Sequence, residues 1–213
     1  STDKAVSPLN AYGATKRLME KLFVSANNHV STKQNKTQFI TARYGNVFGS
    51  SGSVFPKFIE QIKLNQKITI TDPKMTRFSI TMDDALNFII NAIKFGKGSE
   101  IFVPRLKAYS ILTINDALSD IYGKIKQETI GIRPGEKLHE TLIDKDEMRY
   151  SWEYKNMYLI SNPFYPTFYG KKIEKVYNGI KKIKKTDVYS SDKVQTLSKK
   201  EIINTLKQSE LVK

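Results

Sequence analysis

Cysteine is absent from the 213 residues, which excludes a disulfide framework and any thiolate metal site. No apolar run approaches the roughly 20 residues that cross a bilayer as a helix, so no membrane partner is expected. No basic, apolar leader opens the sequence, and the cytoplasm is the expected compartment. Arginine is scarce: six residues, against a net charge of +14 that lysine supplies. Nucleic-acid readers rely on arginine for forked contacts to bases and phosphates. A basic nucleic-acid-binding module is therefore the weaker reading, and the excess charge reads as a lysine-rich, solvated surface. About half of that charge falls in residues 171–213, which read as a polar, helix-forming tail. The two histidines, His29 and His139, have no ligand-like neighbours, and no metal is expected.

Apolar spacing predicts a helix over 9–30, where Leu18, Leu22 and Ala26 recur every fourth residue. Residues 38–44 read as a buried β-strand, followed by a loop punctuated by Gly45, Gly49 and Gly52. A helix over 53–64, a strand over 68–71, a helix to Lys94 capped by Thr81 or Asp83, and a strand over 100–103 come next. Thr113 opens a helix to Tyr122; 127–132 is strand-like; Pro134-Gly135 turns into a helix over 136–143; and 199–211 forms a last helix. Alternating strands and helices imply an α/β fold.

One signal of such folds is missing. A dinucleotide-binding domain opens with a strand, a Gly-x-Gly-x-x-Gly turn and a helix, and no such turn occurs in the sequence. Gly49-Ser-Ser-Gly52 has the wrong spacing and lies too late.

Tyr12 and Lys16 stand one helical turn apart, and an ammonium beside a phenol favours the phenolate, a usable acid or base for a hydroxyl. Alone the pattern says little, because Tyr122/Lys126, Tyr177/Lys181 and Tyr189/Lys193 share it. Context separates the first from the rest. Ser1-Thr-Asp-Lys-Ala-Val-Ser-Pro-Leu-Asn-Ala-Tyr-Gly-Ala-Thr-Lys16 resembles the active-site segment of the extended short-chain dehydrogenases/reductases. Its specific form is similar to that of the configuration-inverting UDP-N-acetylglucosamine 4,6-dehydratases. Three further blocks agree in order: Ala42-Arg-Tyr-Gly-Asn-Val47 running into Gly49–Val54, Ile70–Phe78, and Gly131–Glu140. The resemblance covers residues 1 to about 160, and more faintly Val188–Ser191.

That resemblance implies the carboxyl-terminal part of a Rossmann-like fold with a smaller substrate-binding lobe. Residues 1–105 would be the remaining half of an NADP-binding domain, with 50–78 contributing to the lobe. Residues 106–165 would form the lobe itself, and 166–213 a basic tail. It also implies roles. Lys4 would be the base at sugar C5, also touching substrate, and Asp3 the acid at C6. Tyr12 and Thr2 would act on the C4 hydroxyl, and Lys16 would hold the nicotinamide ribose. Val47, Phe48, Gly49, Ser50 and Ser51 would line the cofactor beside Tyr12 and Lys16. Asn46, Val54, Thr71, Arg133 and Glu136 would contact the substrate, with Arg133 gripping the diphosphate and Glu136 the ribose. Ser51 and Ser79 depart from the arginine and tryptophan that the family often carries there.

The implied reaction takes UDP-N-acetylglucosamine to its 4-keto-6-deoxy, C5-inverted product with NADP. A 4-epimerase or a retaining dehydratase of the same fold is the nearest alternative. Oligomerisation through the 9–30 helix is expected, and a separate amino-terminal half is a candidate partner. Residues 1–213 alone are expected to be inactive, with 38–44 presenting an unpaired apolar sheet edge.

Overall fold

The computed structural model describes residues 1–30, 37–50, 52–164, 170–184, 187–209 and 211–212. Along the chain run a 3-10 turn (Asp3–Ala5), α1 (Ala11–Val30), β1 (Thr41–Ala42), β2 (Asn46–Val47), α2 (Val54–Lys63), β3 (Ile68–Ile70), β4 (Thr76–Ile80) and α3 (Met82–Phe95). Then follow β5 (Ile101–Pro104), β6 (Lys107–Ser110), α4 (Ile111–Tyr122), β7 (Gln127–Thr129), β8 (Thr141–Ile143) and α5 (Lys145–Met148). Strands β9 (Ser151–Tyr154) and β10 (Met157–Ile160), a short helix Ile173–Val176, β11 (Lys181–Lys182), β12 (Tyr189–Ser190) and a last helix Lys199–Gln208 complete the order.

The chain gathers into two compact units, each made of three stretches. The first unit comprises Ser1–Tyr44, Asp83–Arg105 and Thr141–Tyr189. Its sheet has the order β1-β5-β10-β9-β11, with β1 parallel to β5 and the other pairs antiparallel. All four residues of β5 are buried, as expected of an apolar strand covered on both faces. On one face Phe102 and Leu159 pack with Phe88 and Ala92 of α3, and with Ile173 and Tyr177.

The predicted strand over 38–44 is paired to β5 only at Thr41–Ala42, and its other edge is not bare. Ser1 N donates to Ala42 O at 2.6 Å, Tyr44 N to Ser1 O at 3.5 Å, and Asp3 N to Tyr44 O at 3.2 Å. Ser1–Asp3 thus runs as a parallel companion to β1, with Thr2 bridging Tyr44.

The second unit comprises Gly45–Met82, Leu106–Glu140 and Ser190–Lys213. It holds a sheet of order β2-β4-β6 and a parallel pair, β3 with β7. Its core joins Phe55 and Phe58 of α2, Ile68 and Ile70 of β3, Ile114 and Leu118 of α4, and Ile202 and Leu206 of the last helix.

Two expectations are corrected here. The helix over 136–143 does not form. Gly135 turns the chain at φ 80, Thr76 N takes Leu138 O at 3.2 Å, and Thr141–Ile143 becomes strand β8. Leu138, Leu142 and Ile143 mimic helical spacing but serve extended backbone. Nor is the carboxyl-terminal stretch a polar appendage. Ser198 and Glu201 form a reciprocal capping box at the last helix, Ile202 and Leu206 are fully buried, and Lys199 and Lys107 pair with Asp120 and Glu201 at 2.7 and 2.6 Å. Lys199, Lys200 and Lys207 form the outer face of an amphipathic core helix.

Leu206→Ala is therefore expected to lower unfolding free energy by about 2–5 kcal/mol, as for other buried leucine truncations. Denaturant unfolding checks it; a change within about 0.5 kcal/mol would mark the helix as an appendage.

Candidate active site

The first unit carries Thr2, Asp3, Lys4, Tyr12 and Lys16, and brings them onto two adjoining elements. Thr2 caps the 3-10 turn: its side chain accepts from Lys4 N at 3.4 Å and donates to Asp3 Oδ1 at 2.9 Å. Lys4 Nζ reaches the same oxygen at 3.2 Å. Asp3 is completely buried, while Lys4 keeps 39% of its side chain exposed. The two carboxyl oxygens of Asp3 differ sharply: Oδ1 accepts from both neighbours, and Oδ2 has no hydrogen-bond partner among the described residues. A buried polar atom left unsatisfied is costly and calls for an explanation.

Helix α1 is pressed onto that turn by a glycine. A Cβ on Gly13 would lie 2.4 Å from Lys4 O and 2.9 Å from Pro8 Cβ, so only glycine lets the helix approach so closely. Asn10 supplies the cap, its Oδ1 accepting from Gly13 N at 2.9 Å. Ser7, held at φ 44 just before Pro8, reverses the chain between turn and helix. Tyr12 is 55% exposed, and Lys16 Nζ sits 5.5 Å from its ring centroid. The one-turn spacing does bring phenol and ammonium together.

Behind these groups lies an ionic cluster. Arg43, fully buried, donates five hydrogen bonds: Nε and Nη2 to the two oxygens of Glu20 at 2.8 and 2.6 Å, Nη1 and Nη2 to Glu147 at 2.7 and 2.9 Å, and Nη1 to Leu142 O at 2.9 Å. Arg17 joins through Glu147 and through Asp144 at 3.4 Å. Burial alone would lower the Arg43 pKa, but the hydrogen bonds it donates to Glu147 and Glu20, with their charges, raise it above the ordinary arginine value. Burial likewise pushes Glu147 up, yet the Arg43 hydrogen bond and charge prevail and hold it at about 2. The sequence motif includes Arg43 but gives no hint of its partners. The signals were a charged residue inside an apolar strand and an acid, Glu20, on a helix face that should be apolar.

In the second unit, Asn46 and Val47 form β2, parallel to β4 with Asn46 opposite Ser79. Phe48, largely buried, continues the ladder through its N–H to Ile80 O at 2.8 Å. Gly45 lets the strand pass Phe78, whose Cβ would be 2.5 Å from an added Cβ. Gly49 turns at φ 73, Ser50 N closes on Val47 O at 3.2 Å, and Ser51 lies outside the described residues. Val54 begins α2, and Thr71 follows β3. Arg133 is more than half exposed, with Nη1 4.0 Å from Glu136 Oε1, and its N–H meets Glu136 Oε2 at 3.3 Å. This exposed pair can meet an anionic ligand and its hydroxyls.

A family model described as polysaccharide biosynthesis protein matches residues 1–162. The UDP-N-acetylglucosamine 4,6-dehydratase (inverting) of Campylobacter jejuni subsp. jejuni serotype O:23/36 (strain 81-176) is 39% identical over 99% of this chain and 63% of its own length. The UDP-glucose 4-epimerase of Rickettsia bellii (strain OSU 85-389) is 40% identical over 95% of this chain and 58% of its own length. The chain thus spans less than two thirds of these curated relatives. The X-ray structure of Pen from Bacillus thuringiensis matches all of this chain and 62% of its own, with TM-score 0.85 and 38% identity. A UDP-glucuronic acid 4-epimerase from Bacillus cereus, solved with UDP-glucuronic acid and NAD, matches 62% of this chain and 43% of its own at TM-score 0.51 and 28% identity.

The depressed Glu147 value has a signed consequence. Its pKa falls from an ordinary 4.5 to about 2 on folding, so it contributes stability above pH 4.5 that is lost as pH falls through 2. Unfolding free energy measured from pH 6 to pH 2 is expected to decline below about 4.5, and to decline less in Glu147→Gln.

Proposed function

The chain belongs to the polysaccharide biosynthesis protein family, and from that we propose that it is part of a nicotinamide-dependent nucleotide-sugar dehydratase. Its fold is the Rossmann-like α/β type of the extended short-chain dehydrogenases/reductases. The proposed substrate is UDP-N-acetylglucosamine, the proposed cofactor NADP, and the product the 4-keto-6-deoxy sugar inverted at C5. A second copy is the proposed oligomer partner through α1, whose Leu18, Leu22 and Phe23 are exposed.

The observation that carries this reading is the Asp3-Lys4 turn held against the helix that bears Tyr12 and Lys16. Epimerisation at C4 needs only a group to take and return the hydroxyl proton. Elimination of the C6 hydroxyl needs a further base at C5 and a further acid at C6. Lys4 supplies a half-exposed amine for the first task. Asp3 suits the second: Oδ1 is occupied by Thr2 and Lys4, which leaves buried Oδ2 to hold the proton that is delivered.

The residues fit the cofactor as well. Tyr12 and Lys16 are accessible on α1, and the loop after β2 turns at Gly49 and Gly52, both at positive φ, where bare backbone can approach a ligand. When bound, a nicotinamide would take hydride from C4 and give it back at C6, so no net oxidation occurs. Tyr12 then takes the C4 hydroxyl proton with Thr2 beside it, Lys16 holds the ribose, Lys4 removes the C5 proton, and Asp3 protonates the departing C6 oxygen. Val47, Phe48, Gly49 and Ser50 of the second unit are the proposed cofactor contacts, together with Ser51, which lies outside the described residues, while Asn46, Val54 and Thr71 are the proposed contacts to the nucleotide sugar. Arg133 grips its diphosphate, where a guanidinium fork matches phosphate oxygens, and Glu136 accepts from the ribose. A 4-epimerase is the second reading, favoured by the Rickettsia relative.

Deuterated water separates the two. With UDP-N-acetylglucosamine, the complete enzyme is expected to place deuterium at C5 of a 4-keto-6-deoxy product, and Lys4→Ala to abolish this while ligand binding persists. A C4 epimer with its 6-hydroxyl intact would reject the dehydratase reading. Arg133→Ala is expected to weaken substrate binding by about 1.5–3 kcal/mol, the cost of a charged hydrogen bond, with turnover at saturation nearly unchanged. Calorimetric titration and steady-state kinetics read both quantities.

A further inference from the structure

We propose that Arg43 and Glu20 act as a pair of positioning residues, setting Tyr12 and Lys16 against the Asp3-Lys4 turn. The inference rests on the function proposed above. Glu20 lies one helical turn beyond Lys16 and two beyond Tyr12 on α1, and it is the point at which that helix is fixed. Both its oxygens take N–H groups of Arg43, at 2.8 and 2.6 Å. Such a forked pair fixes angle as well as distance, so neither rotation nor sliding of the helix is free.

Arg43 is also tied to the turn. The next residue, Tyr44, accepts from Asp3 N at 3.2 Å and donates to Ser1 O at 3.5 Å. One strand segment therefore holds the acid–base turn by its backbone and the tyrosine helix by its side chain. The far side of the guanidinium is fixed to Glu147 and Leu142 O. Glu147 has its own anchor at the start of α5, where it completes a capping box with Asp144. All five N–H groups of Arg43 are thus committed. None reaches Tyr12, Lys16 or Lys4, so the pair acts through the helix and not on the reacting atoms. A shift of about 1 Å between reacting groups can cost roughly 100-fold in rate, and Gly13, where an added Cβ would lie 2.4 Å from Lys4 O, shows how closely the helix's near side is packed.

The test uses the complete enzyme and compares Glu20→Gln, which keeps the shape but loses the charge, with Leu159→Ala. Leu159 is buried on the α3 side of the same sheet, away from α1, and serves as the control for lost stability alone. Glu20→Gln is expected to lower kcat between about 10- and 100-fold with KM for UDP-N-acetylglucosamine within about twofold. Leu159→Ala is expected to lower the melting temperature yet leave kcat within about twofold. Arg43→Lys, which keeps the charge and loses the fork, gives the same reading should Glu20→Gln not fold. Product identity is scored separately in the unsubstituted enzyme. A C4 epimer there rejects the dehydratase reading, and the rate comparison is then made on epimerisation, which uses the same Tyr12 and Lys16. Unchanged kcat in Glu20→Gln, or a loss no larger than that of Leu159→Ala, would overturn the positioning role.

Discussion

A guanidinium buried without contact to solvent is the constraint around which the first unit is arranged. An unpaired charge at Arg43 would be intolerable in that interior, so two carboxylates and a carbonyl must converge on it. They come from distant stretches of chain: Glu20 from α1, Glu147 from α5, Leu142 from β8. Removing one partner of such a cluster typically costs about 3–5 kcal/mol, because the remaining charge stays buried. Lysine could not replace the arginine, since it lacks the planar fork that serves two carboxylates at once. The shifts of Arg43 upward and Glu147 to about 2 express the same fact. Each is held charged by the other against burial.

Within each unit the backbone is shaped as much by missing side chains as by present ones. Gly13 gives up its Cβ so that α1 can lie on the Lys4 carbonyl, and Gly45 gives up its own so that the chain can pass Phe78. Either position could be mistaken for a flexible hinge in the sequence. Both are close approaches at ordinary φ, and the cost they avoid is steric. Gly49 is different: it needs the left-handed region to turn the loop after β2.

The sequence spoke clearly where a local rule sufficed. The helix of α1, the strand β5, the glycine-bearing loop and the last helix follow from periodicity, β-branching and capping, and the structure has them. It was silent where tertiary pairing decides. Strand β9 mixes polar and aromatic residues, and β10, although Met157, Leu159 and Ile160 are apolar and buried, is only four residues long; β9 pairs with β10, and β10 with β5. The stretch 136–143 shows why spacing alone misleads, because the same leucines fit a helix or an extended segment until Thr76 claims Leu138 O. The site divides in the same way. Tyr12 and Lys16, like Asp3-Lys4, were legible only from resemblance, because three other Tyr-x-x-x-Lys pairs share the one-turn spacing. The unpartnered Oδ2 of Asp3, the Gly13 contact and the partners of Arg43 exist only in three dimensions.

The division between dehydratase and epimerase relatives shows what overall identity can decide. At 39% and 40% identity the two kinds of relative are indistinguishable by similarity. What differs is chemistry at C5 and C6, and it requires two groups of opposite character within reach of one sugar. A lysine and an aspartate next to each other would normally neutralise one another as an exposed ion pair worth little. Here the pair is asymmetric: the carboxylate is buried with one oxygen saturated and one bare, and the amine reaches toward solvent from the saturated side. Under the proposed reading, that asymmetry keeps the two functions on separate atoms, so that one short turn holds the proposed acid and base together.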